Sequence, residues 1–258
     1  MPERTQYTPG TFSWADLATT DPVAAKAFYG ELFGWVAEDM PVGDGVFYSM
    51  MRLDGKDVAG ISPQPQAQRE AGVPPLWNSY VTVESADASA ARAAELGATV
   101  HAGPFDVMDS GRMAVIADPQ GAYFMVWEKR GHFGAGLVNA PGALCWNELA
   151  SPDPQASADF YAALFGWEIS PMDGMPMAYF VIKNGDRSNG GITELPPGVP
   201  THWLVYLATE EIDAAIAKAE ELGATKLSGP HDIGIAKFAV IADPQGAAFA
   251  LYAGQLDD

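Results

Sequence analysis

The chain has 258 residues, enough for two domains that each bury a core of their own. Its apolar fraction of 48% and charged fraction of 18% are those of an ordinary globular protein. With 14 Lys and Arg against 33 Asp and Glu, the formal net charge is −19 and no basic cluster interrupts it, which argues against nucleic acid and anionic membranes as partners.

The start, MPERTQYTPG, has no apolar core of the kind a secretion signal carries, and no later run approaches membrane-spanning length. A cytoplasmic protein is expected. Residues 12–35 read FSWADLATTDPVAAKAFYGELFGW. Phe12, Trp14 and Asp16 alternate with Ser13, Ala15 and Leu17, which is strand period. Asp21 suits a helix N-cap and Pro22 the first helical position, where a missing N–H costs nothing. Ala24, Phe28 and Leu32 then recur at helical spacing beside Val23 and Ala27, and Gly34 ends the helix. The stretch from Trp35 to Gly45 is rich in Gly, Pro and acid and predicts a loop. Phe47 to Met51 and Val58 to Ile61 read as short strands, and Pro63 to Pro75 as a flexible connector.

A second strand–helix unit follows. Trp77 to Val83 is the strand and Ala86 to Leu96 the helix, stopped by Gly97. Strands are expected over Val100 to Phe105, Arg112 to Ala117 and Tyr123 to Glu128, with a type I turn at Asp118-Pro119-Gln120-Gly121. Arg130 to Gly142 is a Gly-rich connector. The second half repeats this order. Residues 144–167 read LCWNELASPDPQASADFYAALFGW, with Trp14 matching Trp146, Asp16 matching Glu148, and Phe28-Tyr29 matching Phe160-Tyr161 at one constant offset. The repeat is a duplication. Tyr179 to Ile182, Gly191 to Thr193, His202 to Ala208, a helix over Glu211 to Leu222, Ala236 to Ala242, the turn Asp243-Pro244-Gln245-Gly246 and Ala248 to Tyr252 complete it. Cys145, the sole cysteine, rules out an internal disulfide or a thiolate metal cluster and reads as a packed small residue.

Four such units, with FYxxLFGW after a first helix and DPxG before a last strand, resemble the vicinal oxygen chelate superfamily of glyoxalase I, bleomycin-resistance proteins and type I extradiol dioxygenases. The pattern is most like that of actinobacterial tandem two-domain glyoxalase-like proteins. The resemblance implies an α+β fold: two tandem glyoxalase-like domains over residues 8–130 and 143–254, joined by a linker at 131–142. Each would hold two βαβββ units in a curved mixed sheet with helices outside. Family enzymes hold a divalent metal in the cavity of that sheet through His, Gln or Glu. The matching positions here are Trp14, Asn78 and Met125, and in the second half Trp146, Leu204 and Ala250. None is a good ligand for a hard or borderline cation, so no metal and no other cofactor is expected at the usual positions.

Strand alternation fills in the cavity walls. In the first domain they include Phe12, Trp14, Asp16, Asn78, Tyr80, Tyr123, Met125 and Trp127; in the second, Leu144, Trp146, Glu148, His202, Leu204, Tyr206, Ala248, Ala250 and Tyr252. Such walls suit a flat, apolar, partly oxygenated molecule. Aromatic residues on an inward strand face are more often plain core, and Trp35 and Trp167 read as core. Asp16 and Glu148 argue for a wet cavity or for a partner such as Arg112, Lys237 or His202, because an unpaired buried carboxylate is costly. Glu148 and His202 could face one another as an acid/base pair or as displaced metal ligands, although a satisfied structural histidine is the commoner arrangement. His101, His132 and His231 receive no role.

Two functions lead, ahead of a third in which the chain is a structural or signalling protein that kept the fold and lost the cavity. One is a metal-independent small-molecule binder that sequesters an aromatic or apolar oxygenated metabolite or antibiotic. The other is an enzyme (lyase, isomerase or oxygenase) using Glu148 and His202, with or without a displaced divalent metal. Either acts on a small molecule as a monomer or homodimer. The second half replaces Met125 and Trp127 by Ala250 and Tyr252 and adds His202, so the more open site and any chemistry are expected there.

Overall fold

The computed structural model describes residues 3–43, 45–172, 174 and 177–256. Met1 and Pro2 of the polar start and Asp44 of the expected loop lie outside the described residues. The first half runs β1 (Phe12–Thr19), α1 (Pro22–Phe33), β2 (Val36–Gly43), β3 (Val46–Leu53), β4 (Lys56–Pro63), α2 (Gln66–Glu70), β5 (Leu76–Val83), α3 (Ala86–Glu95), β6 (Thr99–Val107), β7 (Gly111–Ala117) and β8 (Tyr123–Lys129). The second runs β9 (Leu144–Ser151), α4 (Pro154–Phe165), β10 (Glu168–Pro171), β11 (Tyr179–Asn184), β12 (Arg187–Glu194), β13 (His202–Ala208), α5 (Ile212–Glu221), β14 (Thr225–Asp232), β15 (Ala236–Ala242) and β16 (Ala248–Gly254). Each half forms one curled eight-stranded mixed sheet, in the orders β2-β3-β4-β1-β5-β8-β7-β6 and β10-β11-β12-β9-β13-β16-β15-β14. The central pair is antiparallel (β1 with β5, β9 with β13), and each central strand also pairs in parallel with the last strand of its own unit. Two βαβββ units per domain are therefore present.

The helices start and stop where the sequence places them. Asp21 Oδ1 accepts from the Val23 and Ala24 N–H groups at 3.1 and 3.0 Å, and Asp153 Oδ1 accepts from Ala156 N–H at 3.0 Å. Gly34 and Gly166 close the helices in the left-handed region, at φ 76° and 73°. The buried face differs from expectation. Val23 and Ala27 are exposed, and α1 buries Ala25, Phe28, Tyr29 and Leu32. The stretch after Trp35 is also corrected: it is the edge strand β2, not a loop. All of its residues are exposed, so no burial period marks it, and an edge tolerates Pro41. The expected flexible connector likewise contains the short helix α2.

The helices lie outside each curled sheet, on one of its faces, and keep exposed residues such as Val23 and Asp87. The two domains meet helix face to helix face, with α1 against α5, α3 against α4, and β5 against β13. Two hydrogen-bonded chains cross this interface with matching geometry. Trp77 Nε1 donates to Tyr29 Oη at 3.0 Å, and Tyr29 donates to Asp243 Oδ2 of the other domain at 3.0 Å. Trp203 Nε1 donates to Tyr161 Oη at 2.9 Å, and Tyr161 donates to Asp118 Oδ2 at 2.9 Å. The DPxG aspartates are thus interface acceptors as well as turn formers. Their carboxylates also take two N–H groups each within their own turns. Trp35 and Trp167 are core, as expected, and their indoles donate to Gly142 and Gly10 carbonyls across the same junction.

Candidate functional site

The opposite, helix-free face of each sheet carries most of the residues singled out in the sequence. Phe12 and Leu144 are corrected, because a register shift beside each turns it to the helix side, where Phe12 packs on Trp167 and Trp203 at 5.5 and 4.9 Å. In the first domain, cross-strand register sets Trp14 opposite Tyr80 and Tyr80 opposite Met125; Asp16 lies opposite Asn78 on one side and Gly60 on the other. These neighbours form one hydrogen-bonded cluster. Asp16 Oδ2 accepts from Tyr80 Oη at 2.8 Å and from Tyr48 Oη at 3.2 Å, while Oδ1 accepts from Asn78 Nδ2 at 2.8 Å. Trp14 Nε1 donates to Tyr48 Oη at 2.9 Å. Burial raises the pKa of the Asp16 carboxyl above its ordinary value, and the Asn78, Tyr80 and Tyr48 hydrogen bonds pull it partway back.

The expected wet cavity is not formed on this domain. Trp14, Asp16, Tyr80, Met125 and Trp127 are all buried. What fills the face is the connector between the domains. The His132 ring meets the Trp14 ring edge-on, with centroids 4.6 Å apart, and lies 6.2 Å from that of Trp127. Trp127 Nε1 donates to the His132 carbonyl at 2.9 Å. Phe133 and Tyr7 follow, and Tyr7 Oη donates to the Ala135 carbonyl at 2.7 Å. Asp16 is supported by hydroxyls and an amide, not by a cation: Arg112 pairs instead with Asp87 and Asp106. Among the described residues no Lys or Arg pairs with Asp16 or Glu148.

The second domain repeats the cluster with fewer donors. Glu148 lies opposite Leu204 and Gly191, and Trp146 opposite Tyr206. Tyr206 Oη donates to Glu148 Oε1 at 2.8 Å. The Tyr179 hydroxyl stands between Trp146 and Glu148, as Tyr48 does between Trp14 and Asp16. Leu204 replaces Asn78, so the amide donor is lost. Burial raises the Glu148 pKa, with Tyr206 and Tyr179 opposing it. Here the face is partly open. Trp146, Glu148, Tyr179, His202 and Tyr252 are half-buried around a floor of Leu204, Tyr206 and Ala250, with Phe238 and Val240 beside it. His202 shares the Glu148 face, two residues from Leu204. Its Nδ1 is 2.8 Å from the Pro200 carbonyl, and it makes no hydrogen bond to Glu148 among the described residues, so the acid/base pair is not assembled. Burial lowers the His202 pKa below its ordinary value. Cys145 is a packed thiol whose Sγ is 3.5 Å from the Tyr206 carbonyl, and burial pushes its pKa up.

Two residues that the sequence reading missed are Tyr48 and Tyr179. Each ring crosses a glycine that faces the carboxylate: a Cβ at Gly60 would lie 1.9 Å from Tyr48 Oη, and one at Gly191 2.2 Å from Tyr179 Oη. The signal existed as a Tyr and a Gly repeated in both halves. His132, given no role from sequence, is the third. Tyr123, placed in the cavity wall, is instead 48% exposed and bonds His101 at the surface.

The positions that the resemblance assigned to metal ligands share the helix-free face of each sheet, but their chemistry does not suit a metal. Trp14, Asn78 and Met125 in one domain, and Trp146, Leu204 and Ala250 in the other, offer indole, amide, thioether and alkyl groups. Among the described residues no group of three or more His, Cys, Asp or Glu could hold a metal ion. No helix of the described residues is long and apolar enough to cross a membrane. Two shallow surface clefts, of about 300 and 280 Å³, lie by Asp232 and Lys237 and by Phe28 and Pro244, away from these faces.

Comparison with known proteins agrees with this architecture. Residues 11–126 match the family model of the glyoxalase/bleomycin resistance protein/dioxygenase superfamily, and residues 146–252 match that of a glyoxalase-like domain. The chain is 45% identical over 255 residues to CFP32 of Mycobacterium tuberculosis, named as a candidate glyoxylase, covering 97% of both chains. It is 34% identical over 263 residues to the anthracycline biosynthesis protein DnrV of Streptomyces peucetius, covering 96% of this chain and 94% of that one. Among solved structures, the Mn(II)-bound glyoxalase from Novosphingobium aromaticivorans superimposes with a TM-score of 0.66 at 18% identity, over 97% of this chain and 84% of the other.

Proposed function

The chain belongs to the glyoxalase/bleomycin resistance protein/dioxygenase superfamily, and from that premise we propose that it binds a planar, oxygenated aromatic small molecule on the helix-free face of its second domain, without a metal. The observation that carries this reading is the asymmetry of the two faces. Trp14 and Trp127 are buried against His132, and Asp16 is buried among Tyr48, Asn78 and Tyr80, whereas Trp146, Glu148 and Tyr252 are half-buried around an apolar floor. Half-buried indole and phenol walls supply stacking area, and the tyrosine-held Glu148 carboxyl supplies an orienting hydrogen bond. The similarity to proteins of anthracycline biosynthesis supports an oxygenated polycyclic ligand. The role that follows is sequestration or presentation of such a molecule, as in antibiotic resistance.

The test is titration with an anthracycline aglycone, read by tryptophan fluorescence, alongside elemental analysis of protein purified without chelator. Saturable quenching in the wild type, lost in Trp146→Ala and kept in Trp14→Phe, is the expected result. A stoichiometric divalent metal whose removal abolishes binding would refute metal independence. A second reading is favoured by one observation. Glu148 is a carboxyl of raised pKa at an apolar floor, which suits a general base, so the protein would catalyse proton transfer on its bound ligand. His202, turned to Pro200, adds nothing to that reading.

A further inference from the structure

We propose that the first domain carries a binding site for a neutral planar aromatic ring, and that the chain occupies this site in cis with the imidazole of His132. Three features of the geometry lead there. The ring is held by other rings: it meets Trp14 edge-on at 4.6 Å, lies 6.2 Å from Trp127, and stacks on Phe133 at 6.4 Å and 22°. Its Nε2 atom is buried and has no hydrogen-bond partner, so the site recognises the imidazole as a flat ring and makes no use of its polarity there. The main chain of His132 is anchored independently of the ring. Its N–H donates to the Ser110 carbonyl at 3.0 Å, and its carbonyl accepts from Trp127 Nε1 at 2.9 Å. The side chain can therefore leave, or be removed, while the segment that carries it stays in place.

The neighbouring contacts fix the segment further. Ala135 N–H donates to the Ser13 carbonyl at 2.7 Å and Gly136 N–H to the Asp57 carbonyl at 2.7 Å. Gly134, at φ +117°, allows this close approach, because a Cβ there would lie 2.4 Å from the Ser13 carbonyl oxygen. Burial lowers the His132 pKa, which agrees with a neutral occupant. Self-occupancy explains why only one of two duplicated faces is open. It also sets the ligand class of the latent site: a small, uncharged, flat aromatic or heteroaromatic ring that asks for no hydrogen bond at its buried edge.

The experiment deletes the ring and offers it back. His132→Gly is titrated with free imidazole at about pH 8.5, where the ring is neutral, and read by tryptophan fluorescence and thermal midpoint. The expected result is saturable binding with a dissociation constant of about 1–10 mM, as suits a ligand of so few atoms, accompanied by a rise in melting temperature that the wild type does not show. Equal effects on both proteins, or none on the variant, would overturn the proposal. If His132→Gly does not fold, His132→Phe and His132→Leu decide. A site that reads only a flat ring accepts Phe with wild-type stability and not Leu; equal loss in both refutes it. Because the probe is the deleted group itself, the outcome does not depend on whether the second domain binds its own ligand.

Discussion

Removing a single hydroxyl from the domain interface tests how the two halves are held together. Tyr29 is fully buried, receives the Trp77 indole N–H and donates to Asp243, itself 3% exposed. Tyr29→Phe keeps the ring and its stacking on Trp35, 5.5 Å away at 20°, and deletes only the oxygen. Two costs follow. The bond to a charged acceptor is worth about 1.5–3 kcal/mol, and a buried donor left unpaired costs about 1–3 kcal/mol. The Asp243 carboxylate keeps its two turn N–H donors, which limits the loss. The expected destabilisation is therefore about 3 kcal/mol, or about 6–12 °C in melting temperature for a chain of this size. Thermal unfolding followed by near-ultraviolet circular dichroism measures it, with Phe28→Leu as a packing control. Tyr161→Phe should match it, since Trp203 and Asp118 repeat the arrangement. A fall below about 2 °C in either variant would refute the claim that these hydroxyls bridge the domains.

Further outcomes are expected. Gly60→Ala should cost about 1–3 kcal/mol by forcing Tyr48 off Asp16, and denaturant midpoints will show whether the matching change at Gly191 does the same. Asp16 has a raised folded pKa, so between its unfolded value near 3.9 and that higher value the folded state binds more protons, and its contribution to stability falls as pH rises. Asp16→Asn should therefore gain stability relative to wild type on going from acid to neutral pH, and a flat difference would contradict the assignment. Trp146→Ala should weaken aglycone binding by about 10-fold or more while Trp14→Phe leaves it unchanged, as isothermal titration would report. Asp21→Ala should remove about 1 kcal/mol through loss of the N-cap bonds, measurable by urea unfolding.

The fold was legible because the duplication printed it twice and because most strands have one buried face. The ends of β13 and β15 follow from apolar runs that stop at Thr209-Glu210 and at Asp243-Pro244. β2 was not legible, since a strand exposed on every residue has no burial period to read. The cluster around Asp16 was half legible. Trp14, Asn78 and Tyr80 follow from alternation on paired strands, but Tyr48 reaches the carboxylate diagonally across Gly60, and only the missing side chain permits that reach. His132 had no matching residue in the second half and no strand to give it a direction. Its role comes from tertiary placement, which composition and spacing do not encode.

The helix faces of the two halves match one another more closely than the helix-free faces do. On the helix side, each domain supplies the acceptor that completes the other's tyrosine, so a change in Tyr29, Asp118, Tyr161 or Asp243 damages both halves at once. That mutual dependence keeps the interface symmetric. On the free side the two copies differ: Asn78 against Leu204, Met125 against Ala250, Trp127 against Tyr252. The carboxylate, its two tyrosines and the indole survive in both. The shared cluster does the same physical task in each domain, namely keeping a carboxyl hydrogen-bonded on the helix-free face. The substitutions around it then decide whether that carboxyl is buried among its donors, as Asp16 is beside Asn78, or left half-buried at the edge of an open aromatic face, as Glu148 is beside Leu204.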